Sequence, residues 1–445
     1  MKQIIVFVLV LLALKSECQV LSMREQAKVV DELLADRLNN LLPSLMEKNN
    51  IDLWVLISRE YNEDPVLKTM LPATWLNARR TTMLVFYNNP QQKIFKKLAI
   101  ARYNVGDQIE AAWDMKAFPD QWNALIDIVK KFNPSKIALN TSENFAHADG
   151  MDHTEYKQFT GKLPASYLSK IVSSEPLAVN WLETRTEREM QVYPQLINIT
   201  HNIIREGFSD KVITPGITTT EDLVWWFRQK VNDMGLTTWF HPSVEIQRMD
   251  TEVFDHLKAF TNKDSAKLIL PGDLVHVDFG ITYLRLNTDI QQHVYVLKPG
   301  ETAAPEFLIK AFTKANRLQD ILTSAFAANK SGNAILADAL AQAAKENIEA
   351  TIYTHPLGYH GHAAGPTIGL WDQQKGVPGS GDFPMHYNTC YSIELNAATE
   401  IPEWRKKIRI MLEEDGFFNE KGFRYINGRQ KQLYILQQNN PSMKD

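Results

Sequence analysis

A chain of 445 residues, 44% hydrophobic and 22% charged, has ample apolar material for a buried core; its length fits two or three domains and excludes disorder as the main state. Lys and Arg number 48 against 52 Asp and Glu, a formal charge of −4, which excludes a surface built to grip nucleic acid phosphates or an anionic membrane. Two cysteines, Cys18 and Cys390, make neither a disulfide framework nor a thiolate zinc site, so any metal must be held by oxygen and nitrogen.

Lys2 precedes an apolar run at 4–14 that is too short to cross a bilayer about 30 Å thick. Residues 1–18 therefore read as a secretory signal peptide cleaved before Gln19, with the small residues Ser16 and Cys18 at the cleavage site. That reading predicts a secreted or periplasmic protein with no stable membrane insertion. Asn140, Asn198 and Asn329 begin Asn-x-Ser/Thr triplets, glycosylation acceptors in a host that modifies exported proteins.

Next come helical apolar spacing at 24–40, β-rich runs at 51–60, 82–89 and 136–140, and a helix at 120–132. Alternating strands and helices predict an α/β domain over 19–180. The stretch SSEPLAVNW at 173–181 lacks periodicity and carries Pro176, so the boundary is set there, with a second domain at 181–445. That domain opens on a helix at 184–208 that Pro194 is expected to bend or interrupt and Gly207 to stop. Thr220 is the expected cap of the next helix, whose Trp225, Trp226 and Phe227 are assigned to core packing. Runs at 274–280 and 291–297 predict two strands paired as a hairpin. Two helices at 301–325 and 331–350 follow, then strands at 353–365, 390–398 and 407–415.

Five positions place acidic or imidazole groups within these apolar strands: Asp278, Asp289, His362, Glu394 and Glu414. Buried carboxylates need cations or several donors, and no strand-borne Lys or Arg cluster supplies them. Two divalent ions would, and oxygen ligands with one imidazole suit Mn, Co, Fe or Zn. Asp278 and Asp289 stand 11 residues apart, a spacing that two hairpin-connected strands bring together. Two registers stay open. His360 and His362 share one face of a regular strand, and Glu413 and Glu414 point to opposite faces.

The order Asp, Asp, His, Glu, Glu, in the contexts PGDLVHVDFG, NTDIQQH, HGHAAGP, YSIELN and IRIMLEED, resembles the creatinase and methionine aminopeptidase superfamily over about residues 183–436. Within it the chain is most similar to Xaa-Pro aminopeptidases and proline dipeptidases, and DLWVLISREYNEDP at 52–65 is similar to their N-terminal domain. The resemblance implies an α/β creatinase-like N-terminal domain followed by an α+β pita-bread catalytic domain. It implies two divalent metal ions, manganese first, with Asp278 on one, Asp289 and Glu414 bridging both, and His362 and Glu394 completing the other. Glu394 would also carry the proton during hydrolysis of an N-terminal amide bond.

His362 is selected because HAAG repeats the family's histidine, two residues, then glycine. Glu414 is selected by its spacing to Phe417 and Phe418. The resemblance also points to His256, or else His241, near the scissile amide; with His362 as the ligand, His360 would stand behind the metal ligands or face the substrate. Proline-specific relatives carry histidines four residues before and seven after the ligand histidine, where this chain has Gly358 and Gly369; His355 or His360 stands open as a replacement for the first. His293 is open between the metal surroundings and strand packing, and His201 is taken as structural. The implied partner is a small peptide, with a homodimer as the assembly to test. The alternatives are a proline dipeptidase or other small-amide hydrolase, and a binding module on a degenerate scaffold of this fold.

Overall fold

The computed structural model describes residues 20–249 and 267–437. The expected signal peptide at 1–18 and His256 lie outside the described residues.

The N-terminal half is built on β1 (Leu53–Arg59), β2 (Thr81–Asn89), β3 (Ile94–Ala99), β4 (Glu110–Ala111), β5 (Ile137–Leu139) and β6 (Ile171–Ser173), in the sheet order β4-β3-β2-β1-β5-β6. β1 pairs antiparallel with β2 and parallel with β5. These strands are apolar on both faces because both faces are covered. Trp54 and Leu56 enter one core with helices α1 (Met23–Asp36), α2 (Leu42–Lys48) and α3 (Pro65–Thr69). Leu53, Val55 and Ile57 enter the opposite core with α4 (Gln121–Phe132) and α5 (His153–Lys162). Asn140, an expected glycosylation acceptor, is buried and donates to Asp64, whereas Asn198 and Asn329 are exposed.

The stretch expected to be an aperiodic boundary is mostly helical. In α6 (Glu175–Glu183) Pro176 sits in the first turn, where its missing N–H breaks no helical bond, and Leu177, Val179, Trp181 and Leu182 join the core of α1. α7 (Glu187–Gly207) starts with a Thr186–Glu189 capping box and runs on through Pro194. The expected interruption does not occur because Tyr193, Leu196, Ile197, Ile203 and Ile204 are buried on one face. Burial at roughly 1.5–3 kcal/mol per large apolar side chain outweighs the roughly 3 kcal/mol cost of an interior proline. α8 (Thr220–Asp233) is capped by Thr219, one residue earlier than expected, through a reciprocal pairing with Asp222. Of its aromatic triplet, Phe227 is buried, Trp226 half-buried and Trp225 55% exposed, its indole donating to Glu221 at 2.6 Å. The core assignment fails for Trp225 because its helical position points away from the sheet that Phe227 covers.

The remaining strands are β7 (Ser243–Gln247), β8 (Leu274–Phe279), β9 (Thr282–Tyr283), β10 (Leu286–Asn287), β11 (Ile290–Val296), β12 (Glu349–Ile352), β13 (His355–Leu357), β14 (Thr389–Ser392), β15 (Leu395–Ile401), β16 (Lys406–Leu412), β17 (Asp415–Asn419), β18 (Gly422–Tyr425) and β19 (Tyr434–Leu436). They form sheets ordered β19-β11-β8-β7, β13-β14-β17-β18 and β12-β15-β16, with β9 and β10 as a small hairpin inside the connection from β8 to β11. β8 and β11 pair antiparallel, as their sequences predict. Val275, Val277 and Phe279 pack with α7 and α8, so His276 and Asp278 face the other way, together with Gln291 and His293 of β11. α9 (Glu306–Ser324) covers β15 and β16, and α10 (Gly332–Lys345) packs on α9 and β12.

Candidate metal centre

Three sheets deliver one buried cluster. Asp278 lies near the end of β8, opposite Gln291, and Asp289 precedes β11, its backbone N–H donating to the Asp415 carboxylate at 3.3 and 3.2 Å. His355 opens β13. Glu394 occupies the break between β14 and β15, and Glu413 the break between β16 and β17. The breaks lock together: the Ile393 N–H donates to the Glu414 carbonyl at 3.0 Å, and the Gln291 N–H to the Glu413 carbonyl at 3.1 Å.

Side-chain donor atoms of Asp278, Asp289 and Glu413 lie within 4.8 Å of one another, as do those of His355, Glu394 and Glu413, and those of Asp289, His355 and His362. His355 Nε2 is 3.6 Å from Asp289, 3.6 Å from Glu413 and 3.9 Å from Glu394. Its Nδ1 is 3.0 Å from the Pro356 carbonyl, which can only accept, so Nδ1 carries a proton and Nε2 faces the carboxylates. Burial first, and then repulsion by Glu413, pushes the Asp278, Asp289 and Glu394 carboxyls well above the usual carboxylate range. Burial opposes the His355 imidazolium, yet Glu413 and Glu394 outweigh it and hold its pKa at about 9. The cluster thus demands positive charge, and the Nε2 lone pair can take either a proton or a cation.

These residues fit divalent metal. Asp278 Oδ1, Asp289 Oδ1 and His355 Nε2 are buried with no hydrogen-bond partner among the described residues. Among the described residues no Lys or Arg pairs with any of the four carboxylates. Oxygen donors with one imidazole suit Mn, Co, Fe or Zn.

The expected site residues separate. Asp278, Asp289 and Glu394 are in the cluster. Glu414 turns away from it: both its oxygens lie 3.0 Å from His201 Nε2, and Glu413 takes the inward position. The register fails because the alternation of β16 stops at Leu412 and cannot be extended across the break. His360 and His362 do not share a strand, since the chain leaves β13 after Leu357. Close packing holds that loop: a Cβ on Gly358 would meet the Arg185 guanidinium at 3.1 Å, and one on Gly361 would meet Trp239 at 2.3 Å.

His362 is exposed, its ring 4.7 Å from His355 and 5.1 Å from Trp239. Partial desolvation and then the neighbouring His355 push its pKa down to about 4. His360 lies outside the three donor groups, 4.3 Å from the ring of His147, and burial followed by His147 pushes its pKa to about 3. His241 accepts from Arg228 at 3.1 Å, also outside the donor groups. His293 is buried beside His276, with ring centroids 4.9 Å apart. His355 was missed as a cluster member, although HPLG at 355–358 carries the same histidine, two residues, glycine pattern as HAAG. With His355 in the cluster, the position seven residues later is His362 and the position four residues earlier is Thr351. A cavity of about 820 Å³ in the N-terminal half, between Trp75, Arg79, Arg102 and Trp113, shares no residue with this cluster.

The family model of metallopeptidase family M24 matches residues 195–417, half of the chain. No curated protein sequence matches. Among solved structures the chain is similar to an X-Pro aminopeptidase from Thermotoga maritima MSB8, with a TM-score of 0.61 and 16% identity over 88% of this chain and 99% of that one. It is similar to an Xaa-Pro dipeptidase from Bacillus anthracis, with a TM-score of 0.60 and 14% identity over 93% of this chain and 100% of that one. It is also similar to a dipeptidase PepE from Mycobacterium ulcerans, with a TM-score of 0.58 and 14% identity over 93% and 99%. These likenesses establish the fold, an N-terminal domain followed by a pita-bread domain.

Proposed function

Because this chain belongs to metallopeptidase family M24, we propose that it is a dinuclear-metal aminopeptidase that hydrolyses the N-terminal amide bond of small peptides, with Xaa-Pro peptides as its substrates. The observation that carries this reading is the pair of donor groups sharing Glu413: Asp278, Asp289 and Glu413 on one side, His355, Glu394 and Glu413 on the other. One divalent ion in each uses all five side chains, and manganese is the first ion to test. When bound, such ions polarise the scissile carbonyl and lower the pKa of a water to about 7.

The chain's own residues do the rest. Glu394 Oε1 is held by the Gln291 amide at 2.6 Å while Oε2 faces His355. Oε2 takes a proton from the attacking water as the new C–O bond forms and delivers it to the amine nitrogen as the C–N bond breaks. His362, neutral near pH 7 and exposed beside His355, hydrogen-bonds the substrate. Its place seven residues after His355 supports the proline reading, since the resembling proline-specific enzymes carry a histidine there. The reading also includes export with cleavage before Gln19, which N-terminal sequencing of the native protein tests.

The test is hydrolysis of free and N-acetylated Xaa-Pro and Xaa-Ala peptides by protein loaded with Mn, Co, Fe or Zn. Xaa-Pro peptides with a free N-terminus are expected to be cleaved, and Glu394→Gln is expected to lower turnover by more than about 10²-fold. Absence of cleavage across the panel by protein that holds its ions would overturn the reading.

A further inference from the structure

We propose that Gln291, itself fixed by His276, is the positioning residue that sets the Glu394 and Glu413 carboxylates for cation binding. This inference rests on the dinuclear reading above and adds to it two residues outside the donor set. Gln291 and His276 are each 3% exposed. The Gln291 amide nitrogen is 2.6 Å from Glu394 Oε1 and 2.8 Å from Glu413 Oε2. A primary amide nitrogen has two hydrogens, so each carboxylate receives one. The Gln291 amide oxygen must then accept, and it lies 2.9 Å from His276 Nε2. His276 is therefore protonated at Nε2, and both the amide orientation and the imidazole tautomer are determined by the network.

The strand register explains why these two side chains meet. His276 stands two residues before Asp278 on β8, and Gln291 is opposite Asp278 on β11, so His276 and Gln291 are diagonal neighbours on one sheet face. Gln291 also donates its backbone N–H to the Glu413 carbonyl, which ties it to the same glutamate by main chain and side chain. With its Oε1 occupied by Gln291, Glu394 leaves Oε2 facing His355 at 3.9 Å, while Glu413 Oε1, which also accepts from Ser392 at 2.5 Å, faces His355 at 3.6 Å. The chemistry also selects an amide. A Lys or Arg here would give the same hydrogen bonds but add positive charge beside the cations, lowering the affinity the cluster is built for. Glutamine donates twice without charge, and outer partners of metal ligands typically change affinity by about 10–100-fold when removed.

The test is calorimetric titration of manganese into chelator-treated parent, Gln291→Leu, His276→Phe, His276→Gln and the Gln291→Leu/His276→Phe double variant, with kcat and KM at saturating manganese. Gln291→Leu and His276→Phe are each expected to weaken manganese binding by about 10–100-fold and to lower kcat with KM changed less than about threefold. The double variant is expected to be no worse than the poorer single variant, because both break one chain of bonds. His276→Gln retains a donor and is expected to recover most of the affinity that His276→Phe loses. Parent-like affinity in Gln291→Leu, equal affinity in the two His276 variants, or additive losses in the double variant would each overturn the relay. The His276 pair decides the matter if Gln291→Leu does not fold. A parent that binds manganese but cleaves no peptide would refute the aminopeptidase reading, and the affinities would still decide the relay.

Discussion

Exchanging Glu413 and Glu414 one at a time for glutamine separates two adjacent carboxylates by their surroundings. Glu414 is 1% exposed, and both its oxygens contact His201 at 3.0 Å. Glutamine keeps the volume and one acceptor oxygen. It turns a charge-assisted bond, worth about 1.5–3 kcal/mol, into a neutral one worth about 0.5–1.5 kcal/mol. Burial pushes the Glu414 carboxyl up despite His201, so removing that charge returns part of the loss, and the net cost is about 1 kcal/mol. Glu414→Gln should lower the melting temperature by roughly 2–4 °C and leave manganese affinity within about threefold of the parent.

Glu413 differs in every contact. Its Oε2 accepts from Gln291 at 2.8 Å, its Oε1 from Ser392 at 2.5 Å, and it belongs to two of the three donor groups. An amide there must turn its NH₂ toward one of those donors or toward a cation. Manganese affinity should therefore fall by more than the roughly 100-fold upper end for outer partners, with loss of at least one equivalent. Calorimetry on chelator-treated protein reads stoichiometry and affinity, and a melting curve reads stability. An equivalent lost in Glu414→Gln and two retained in Glu413→Gln would refute the assignment of the inward register.

Chelation should make stability depend on pH in a direction fixed by the cluster. Asp278, Asp289 and Glu394 are raised by burial and His355 is raised to about 9, so their contribution in ion-free protein is complete below their unfolded pKa values and is lost as pH rises through the folded ones. The gap in melting temperature between loaded and chelated protein should widen from about pH 5.5 to about pH 8.5, and a narrowing gap would contradict this. His355→Ala should lose an equivalent of metal that His360→Ala keeps, because His360 lies outside the donor groups; the reverse order in metal titrations would exclude the His355 assignment. Arg37→Met should destabilise the protein by about 3–5 kcal/mol in denaturant unfolding. The Arg37 guanidinium is fully buried, 2.8 Å from Glu189 and 2.7 Å from the Thr184 carbonyl, and a loss below about 1 kcal/mol would show that Arg185 alone suffices for Glu189.

The sequence carried the architecture further than the site. Runs such as 51–60 and 274–280 revealed their strands because burial writes itself into apolar spacing, and the 11-residue separation of Asp278 and Asp289 announced the β8–β11 pairing. Local signals misled where tertiary packing overrides them. Pro176 and Pro194 read as breaks, yet one lies in a helix's first turn and the other in a helix held by a buried face. The ligand registers were illegible for another reason. Glu394, Glu413 and Glu414 sit where strands end and restart, and a period of two carries no information across such a break. HPLG at 355–358 and HAAG at 362–365 carry the same four-residue pattern, and only the fold shows that His355 joins Glu394 and Glu413 while His362 joins Asp289 and His355.

In the proposed centre Asp278, Asp289, His355, Glu394 and Glu413 together hold two divalent ions. Crystals of the protein grown with manganese and measured with X-rays at the manganese absorption edge test it most directly. Two anomalous peaks are expected, one among Asp278, Asp289 and Glu413 and one among His355, Glu394 and Glu413, with Glu414 still against His201. A cluster without anomalous density at saturating manganese, or a peak coordinated by Glu414, would contradict it.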